Sequence, residues 1–274
     1  MKTKTIVQIS DLHFGRVERK AIQPLIRNIE AINPELVIIS GDLTQRAKER
    51  EYLEARKFIK SLNRPTFIIP GNHDIPLYNI LERFHSPFRK YSKFISPDIS
   101  PFYRDNDIAI VAINSVRNFT VSSGKISKEQ LEEAEKILQN VDSKLIKIVV
   151  CHHPFDIPIN KKTTHKVVAH SKIAMERLSK YNIDVFLSGH IHISHIGDTA
   201  SRYKIDGYNG IIVQAGTAIS KRYRGEPVSF NVLKIRHKEI VVDNYAGNES
   251  LSNFDIASTK KFVEKNNVWK MLDK

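Results

Sequence analysis

The stretch Ile6-Val7-Gln8-Ile9-Ser10-Asp11-Leu12-His13 decides how the chain is read: a short β-branched run that stops at an Asp-x-His pair. Four later runs stop in the same manner. Residues 36–39 exit into Ser40-Gly41-Asp42, and residues 66–69 into Pro70-Gly71-Asn72-His73-Asp74. Residues 146–150 exit into Cys151-His152-His153-Pro154, and 183–187 into Ser188-Gly189-His190-Ile191-His192. Between the runs the spacing predicts helices over about 20–32, 48–62, 127–139 and 172–180, the third opening on the capping-box pattern Ser127-Lys128-Glu129-Gln130. Continuous apolar runs separated by helices indicate βαβ units with strands buried on both faces. A further strand is predicted over 108–113, and after about residue 195 the signal is nearly all β, at 211–213, 230–235 and 240–242.

Open α/β sheets place their sites at the carboxyl ends of the strands, where these polar boxes fall. Carboxylates and imidazoles without thiolates suit Mn, Fe, Zn and similar ions. Asp11 and His13, two apart in an extended loop, can face one ion, and His190 and His192 have the same spacing. The two oxygens of Asp42 can bridge a pair of ions, and Gly41, Gly71 and Gly189 let the backbone come close to a ligand. Taken singly, each box is weak and reads as a turn or a structural histidine. Five in order, each ending a buried run, point to one site.

The set Asp11-x-His13, Gly41-Asp42, Gly71-Asn72-His73-Asp74, His152-His153-Pro154 and Gly189-His190-x-His192 resembles the calcineurin-like metallophosphoesterases, from residue 6 to about 240. The resemblance implies a four-layer αββα sandwich, two mixed β-sheets flanked by helices. It implies that Asp11, His13, Asp42 and His192 hold one divalent ion, and that Asp42, Asn72, His152 and His190 hold a second. His152 rather than His153 takes the family's ligand position, the His two before the Pro. His153 is then left to line the pocket or to serve as a structural histidine. Asn114-Ser115, Ala215-Gly216-Thr217-Ala218, Arg222-x-Arg224-Gly225-Glu226-Pro227 and Ser229-Phe230-Asn231 look like the bacterial class III cyclic-nucleotide phosphodiesterase branch.

The expected chemistry is hydrolysis of a phosphodiester, a cyclic nucleotide for example, by a hydroxide bridging two ions (Mn, Fe, Zn or mixed). His73 is expected to protonate the leaving oxygen, with Asp74 holding its ring; a turn or cap role for Asp74 stands as the alternative. Asn72, His153, Arg222 and Arg224 are candidates for contact with substrate, the two arginines either gripping a phosphate or simply solvated. The polar stretch 156–169, with Asn160, Lys161, Lys162 and His165, either lines the pocket or is an ordinary surface loop.

Bulk properties set the bounds. The 274 residues are 41% hydrophobic and 27% charged, the balance of a globular chain. No apolar run approaches the ~20 residues of a membrane span. Cys151 is the one cysteine, which excludes an internal disulfide and suits a reducing cytoplasm, and no signal peptide is expected ahead of the first run. The net charge of +13 favours anionic partners, or reflects a general lysine bias. A single domain is expected over 4–246, with 247–274 as a tail forming a basic helix or loosely held. A nuclease is the nearest rival reading, but few residues follow His192 and no basic stretch interleaved with aromatics stands out. His73 speaks against a lipid-linked diphosphate hydrolase, and the filled ligand set against a metal-free scaffold.

Overall fold

The computed structural model describes residues 3–158, 166–222 and 225–272. In its first half, β1 (Lys4–Ile9), α1 (Arg19–Ile32), β2 (Leu36–Ile39), α2 (Glu49–Ser61) and β3 (Thr66–Ile68) form the expected βαβ units, with β1, β2 and β3 parallel neighbours. The stretch 75–107, for which the apolar runs predicted no element, holds α3 (Ile80–His85), α4 (Arg89–Phe94) and β4 (Phe102–Arg104). A second parallel set follows: β5 (Ile108–Ala112), α5 (Lys128–Leu138), β6 (Ile146–Val150), α6 (Ser171–Leu178) and β7 (Val185–Ser188). The capping box at α5 is formed, Ser127 Oγ accepting from Gln130 N–H and Gln130 Oε1 from Ser127 N–H. The chain closes with β8 (His195–Asp198), β9 (Ile211–Gln214), β10 (Ser229–Arg236), β11 (Glu239–Gly247), β12 (Phe254–Lys265) and β13 (Val268–Leu272).

These strands make two mixed sheets, one in the order β13-β12-β11-β10-β1-β2-β3 and the other β4-β5-β6-β7-β9-β8. Alternation along each strand assigns its side chains to layers. In β1, Ile6 joins Leu36, Ile38, Ile110, Ile148, Val185 and Val213 in a core between the sheets, while Val7 and Ile9 face outward to α1 and α2 through Leu25, Ile29, Tyr52 and Ala55. On the far side, Val111, Val149 and Phe186 pack beneath α5 and α6 through Leu131, Ala134, Met175 and Leu178. The result is the expected four-layer αββα sandwich.

The tail corrects the sequence reading. Instead of a basic helix, β12 and β13 form a hairpin that extends the first sheet, paired from Glu239↔Val263 through Lys265↔Val268. Phe262 and Trp269 carry the hairpin into the inter-sheet core, and the Trp269 indole N–H donates to Asp184 Oδ1 at 2.9 Å. Lys260, Lys261 and Lys265 lie in β12, paired on both sides, and Lys270 lies in the edge strand β13, where charge discourages pairing with another chain.

Candidate metal centre

All five polar boxes meet where the two sheets open at their carboxyl ends. The loops leaving β1 and β2 continue the parallel ladder, Asp11 N–H donating to Gly41 O at 3.1 Å and His13 N–H to Asp42 O at 3.0 Å. They then turn through unusual backbone: Asp11, His13, Asp42, His190 and His192 all have positive φ, between 48° and 76°. Non-glycine residues occupy that region at a cost, and such strain gathers at functional sites. Gly71 makes the close approach possible, since a methyl group there would overlap the Asp42 carboxylate.

Two donor clusters result, Asp11, His13, Asp42 and His192 in one and Asp42, His152 and His190 in the other, the ligand atoms of each lying within 4.8 Å of one another. Asp42 divides its carboxylate between them, Oδ2 lying 3.6 Å from His13 Nε2 and Oδ1 3.4 Å from His152 Nε2. Asn72 Oδ1 faces His152 Nε2 at 3.1 Å, while its amide N–H donates to Val121 O. All seven expected ligands are therefore brought together and buried.

The donor set fits divalent cations on its own chemistry. His192 Nδ1–H donates to Arg222 O and His152 Nδ1–H to Ser40 O, both at 2.8 Å, which leaves each Nε2 as a lone pair aimed into the site. His192 Nε2 then lies 3.0 Å from His13 Nε2 and 3.2 Å from Asp11 Oδ1, a buried oxygen that accepts no hydrogen bond. Lone pairs and carboxylates turned on one another in a dry pocket are reconciled by cations. The protons respond to the same crowding. Burial opposes ionisation of Asp11, but His192 and His13 outweigh it and hold the carboxyl well below its usual range. Burial likewise opposes the His152 charge, and Asp42 overcomes it, raising that pKa to about 9, so a cation would take the Nε2 lone pair by displacing a proton. His13 goes the other way, to about 4, because burial dominates.

Around these clusters several sequence expectations change. Asp74 does not hold His73. Its oxygens accept from the N–H groups of Leu43, Thr44 and Gly71 and from the Thr44 hydroxyl, at 2.8–3.1 Å, so it clasps the Asp42 loop to the Asn72 loop. The His73 ring is held instead by Gln45 O, 2.9 Å from Nδ1, with the Arg46 guanidinium 3.2 Å from the same nitrogen. Its Nε2 meets Arg222 Nη1 at 2.8 Å. His153 is buried beneath Gly124, with Nδ1 on Ser115 Oγ at 2.7 Å; it joins neither cluster and offers no open surface to a substrate. Arg224, like Asn160, Lys161, Lys162 and His165, lies outside the described residues. Arg46 and Gln45 were missed from sequence. The Asp42-Leu43-Thr44-Gln45-Arg46 order is their one signal, placing them on the loop of an expected ligand. The branch-like residues stand behind the donor clusters: Thr217 Oγ1 donates to Asp11 O at 2.7 Å, and Asn231 joins Gln8 and Asn244 in a buried amide chain. Among the described residues no helix is long and apolar enough to cross a membrane.

Known proteins resemble this chain in sequence and in fold. The family model described as calcineurin-like phosphoesterase matches residues 4–194. A probable glycerophosphodiester phosphodiesterase of Arcobacter nitrofigilis is 30% identical over 204 residues, covering 68% of this chain and 71% of that one. A 3′,5′-cyclic adenosine monophosphate phosphodiesterase of Escherichia coli K12 is 24% identical over 200 residues, covering 68% and 69%. Among solved structures, a dimetal phosphatase from Danio rerio superposes with a TM-score of 0.63 at 13% identity, over 88% of this chain and 95% of that one, a likeness of fold.

Proposed function

The chain belongs to the calcineurin-like phosphoesterase family and is a metal-dependent phosphoric ester hydrolase, and from that premise we propose that its substrates are small phosphodiesters, cyclic nucleotides among them. The observation that carries the dinuclear reading is the Asp42 carboxylate, split between two donor clusters. Asp11, His13, Asp42 and His192 would hold one divalent ion, and Asp42, Asn72, His152 and His190 the other. When bound, the pair supplies Lewis acidity at phosphorus and brings the pKa of water towards neutrality. The relatives named for diesters support diester over monoester hydrolysis.

The chain's own residues then act on the ester. Arg222, half-buried beside His73 and His13, presents a guanidinium to a phosphate oxygen. His73 gives Nδ1–H to Gln45 O, so Nε2 faces the reacting group. Burial lowers the His73 pKa, Asp42 raises it, and Arg222 lowers it again, leaving the ring below its ordinary value. An arriving anion compensates the guanidinium charge, so that Nε2 can carry the proton it hands to the leaving oxygen.

The test is hydrolysis of bis(p-nitrophenyl) phosphate by chelated protein reloaded separately with Mn, Fe, Zn or Mg, followed by a panel of cyclic nucleotides. Metal-dependent release of nitrophenolate is expected. No release with any ion, despite metal bound, would overturn the diesterase reading.

A further inference from the structure

The loop after His13 and the segment carrying Arg222 run side by side. Arg16 N–H donates to His13 O at 2.8 Å, and Arg16 O accepts from Lys221 N–H at 3.0 Å. Between them and the first turn of α2 lies a cleft of about 420 Å³, lined by five cations and two carboxylates. Both carboxylates are engaged. Glu54 is shared by Arg19 and Arg50, and Glu51 accepts from the backbone N–H groups of Arg46 and Lys48. Among the described residues, Arg16, Lys48 and Lys221 are exposed with no carboxylate partner.

The wall of the cleft is linked to the reaction site through two arginines. Lys221 is the chain neighbour of Arg222, which touches His73. Arg46, bonded through its N–H to Glu51 in the cleft wall, reaches the other nitrogen of the same ring. Like charges gathered in a concavity raise the local potential and draw in anions. A merely solvated basic face has no need of a hollow beside the catalytic groups.

We propose that this cleft is a subsite for a second phosphate of the substrate. It rests on the diesterase reading and narrows it. With the scissile diester at the two clusters, Arg16, Lys48 and Lys221 hold a neighbouring phosphate on the same molecule. The preferred substrate is then a linear dinucleotide with a terminal phosphate, since a 3′,5′-cyclic mononucleotide brings one phosphate only.

The experiment compares kcat/KM of the metal-loaded enzyme for thymidylyl-thymidine without a terminal phosphate, with a 5′-phosphate and with a 3′-phosphate. The same comparison is made on the triple variant Arg16→Ala, Lys48→Ala, Lys221→Ala. Charge-assisted contacts of this kind predict a preference of about tenfold for one phosphorylated form in the native enzyme. In the variant that ratio should fall close to one. A parallel titration of metal-free protein with tripolyphosphate should show binding weakened by about tenfold in the variant. Equal kcat/KM for all three dinucleotides, or a preference that survives the triple substitution, overturns the subsite. If bis(p-nitrophenyl) phosphate is hydrolysed while the ratio is flat, only the subsite fails. If that ester is not hydrolysed, the diesterase reading fails, and undiminished tripolyphosphate binding by the variant would sink the subsite separately.

Discussion

At the scale of single residues, Asp42 and His73 part company although they are bonded, His73 N–H donating to Asp42 Oδ1 at 2.8 Å. One sits in both donor clusters, the other in neither. Asp42→Ala should therefore release both ions, while His73→Gln should retain them and slow turnover on the order of 10²–10⁴-fold. Elemental analysis of the two purified variants beside their hydrolysis rates checks this, and loss of both metals from the His73 variant would place that ring among the ligands. The expected ligands were legible because each follows an apolar run, and because Asp11 with His13 and His190 with His192 are spaced two apart. The partner of His73 was not. Adjacency suggested Asp74, but neighbouring side chains in a tight turn point apart, so the carboxylate went to the backbone of the facing loop. Its environment is correspondingly mixed: burial and the nearby Asp42 charge push the Asp74 carboxyl up to about 7, against the pull of the three N–H donors.

Among the elements, the parallel strands were readable and the closing hairpin was not. Strands buried on both faces spell continuous runs such as Leu36-Val37-Ile38-Ile39, which no solvated helix imitates. In β12 half of the residues are exposed and Phe254 and Phe262 are fully buried, so Lys260, Lys261, Glu264 and Lys265 break any apolar run and the stretch reads as helix or coil. What holds it is tertiary packing, to which local propensity is blind. Trp269→Ala should cost about 3 kcal/mol or more, from the emptied inter-sheet volume and the loss of the bond to Asp184. Urea denaturation of the variant measures it, and a loss below about 1 kcal/mol would mean that the hairpin is not part of the cooperative unit.

Over the whole molecule, one buried acid ties stability to pH away from the metal centre. Asp184 accepts from Lys147 N–H at 2.7 Å and from Trp269, yet burial raises its pKa from 3.8 to about 6. A folded value above the unfolded one means that the stabilising contribution is full below about 3.8 and is lost as pH rises through about 6. Between those limits the native protein should lose on the order of 2 kcal/mol relative to Asp184→Asn, which has no proton to release. Paired urea midpoints from pH 3.5 to 7 read the difference, and a constant gap would dismiss it. The donor clusters have a consequence at the same scale. Asp11, His13, Asp42 and Asn72 leave strands of one sheet, and His152, His190 and His192 leave strands of the other. Each ion would therefore add a cross-link between two halves already joined by aliphatic packing and by hydrogen bonds such as Gln8 Nε2–H to Ser188 O, and its binding would add RT ln(1 + [M]/Kd) to folding. Free metal in the surroundings would then govern abundance as well as turnover, because a starved chain would be the one more readily opened and degraded.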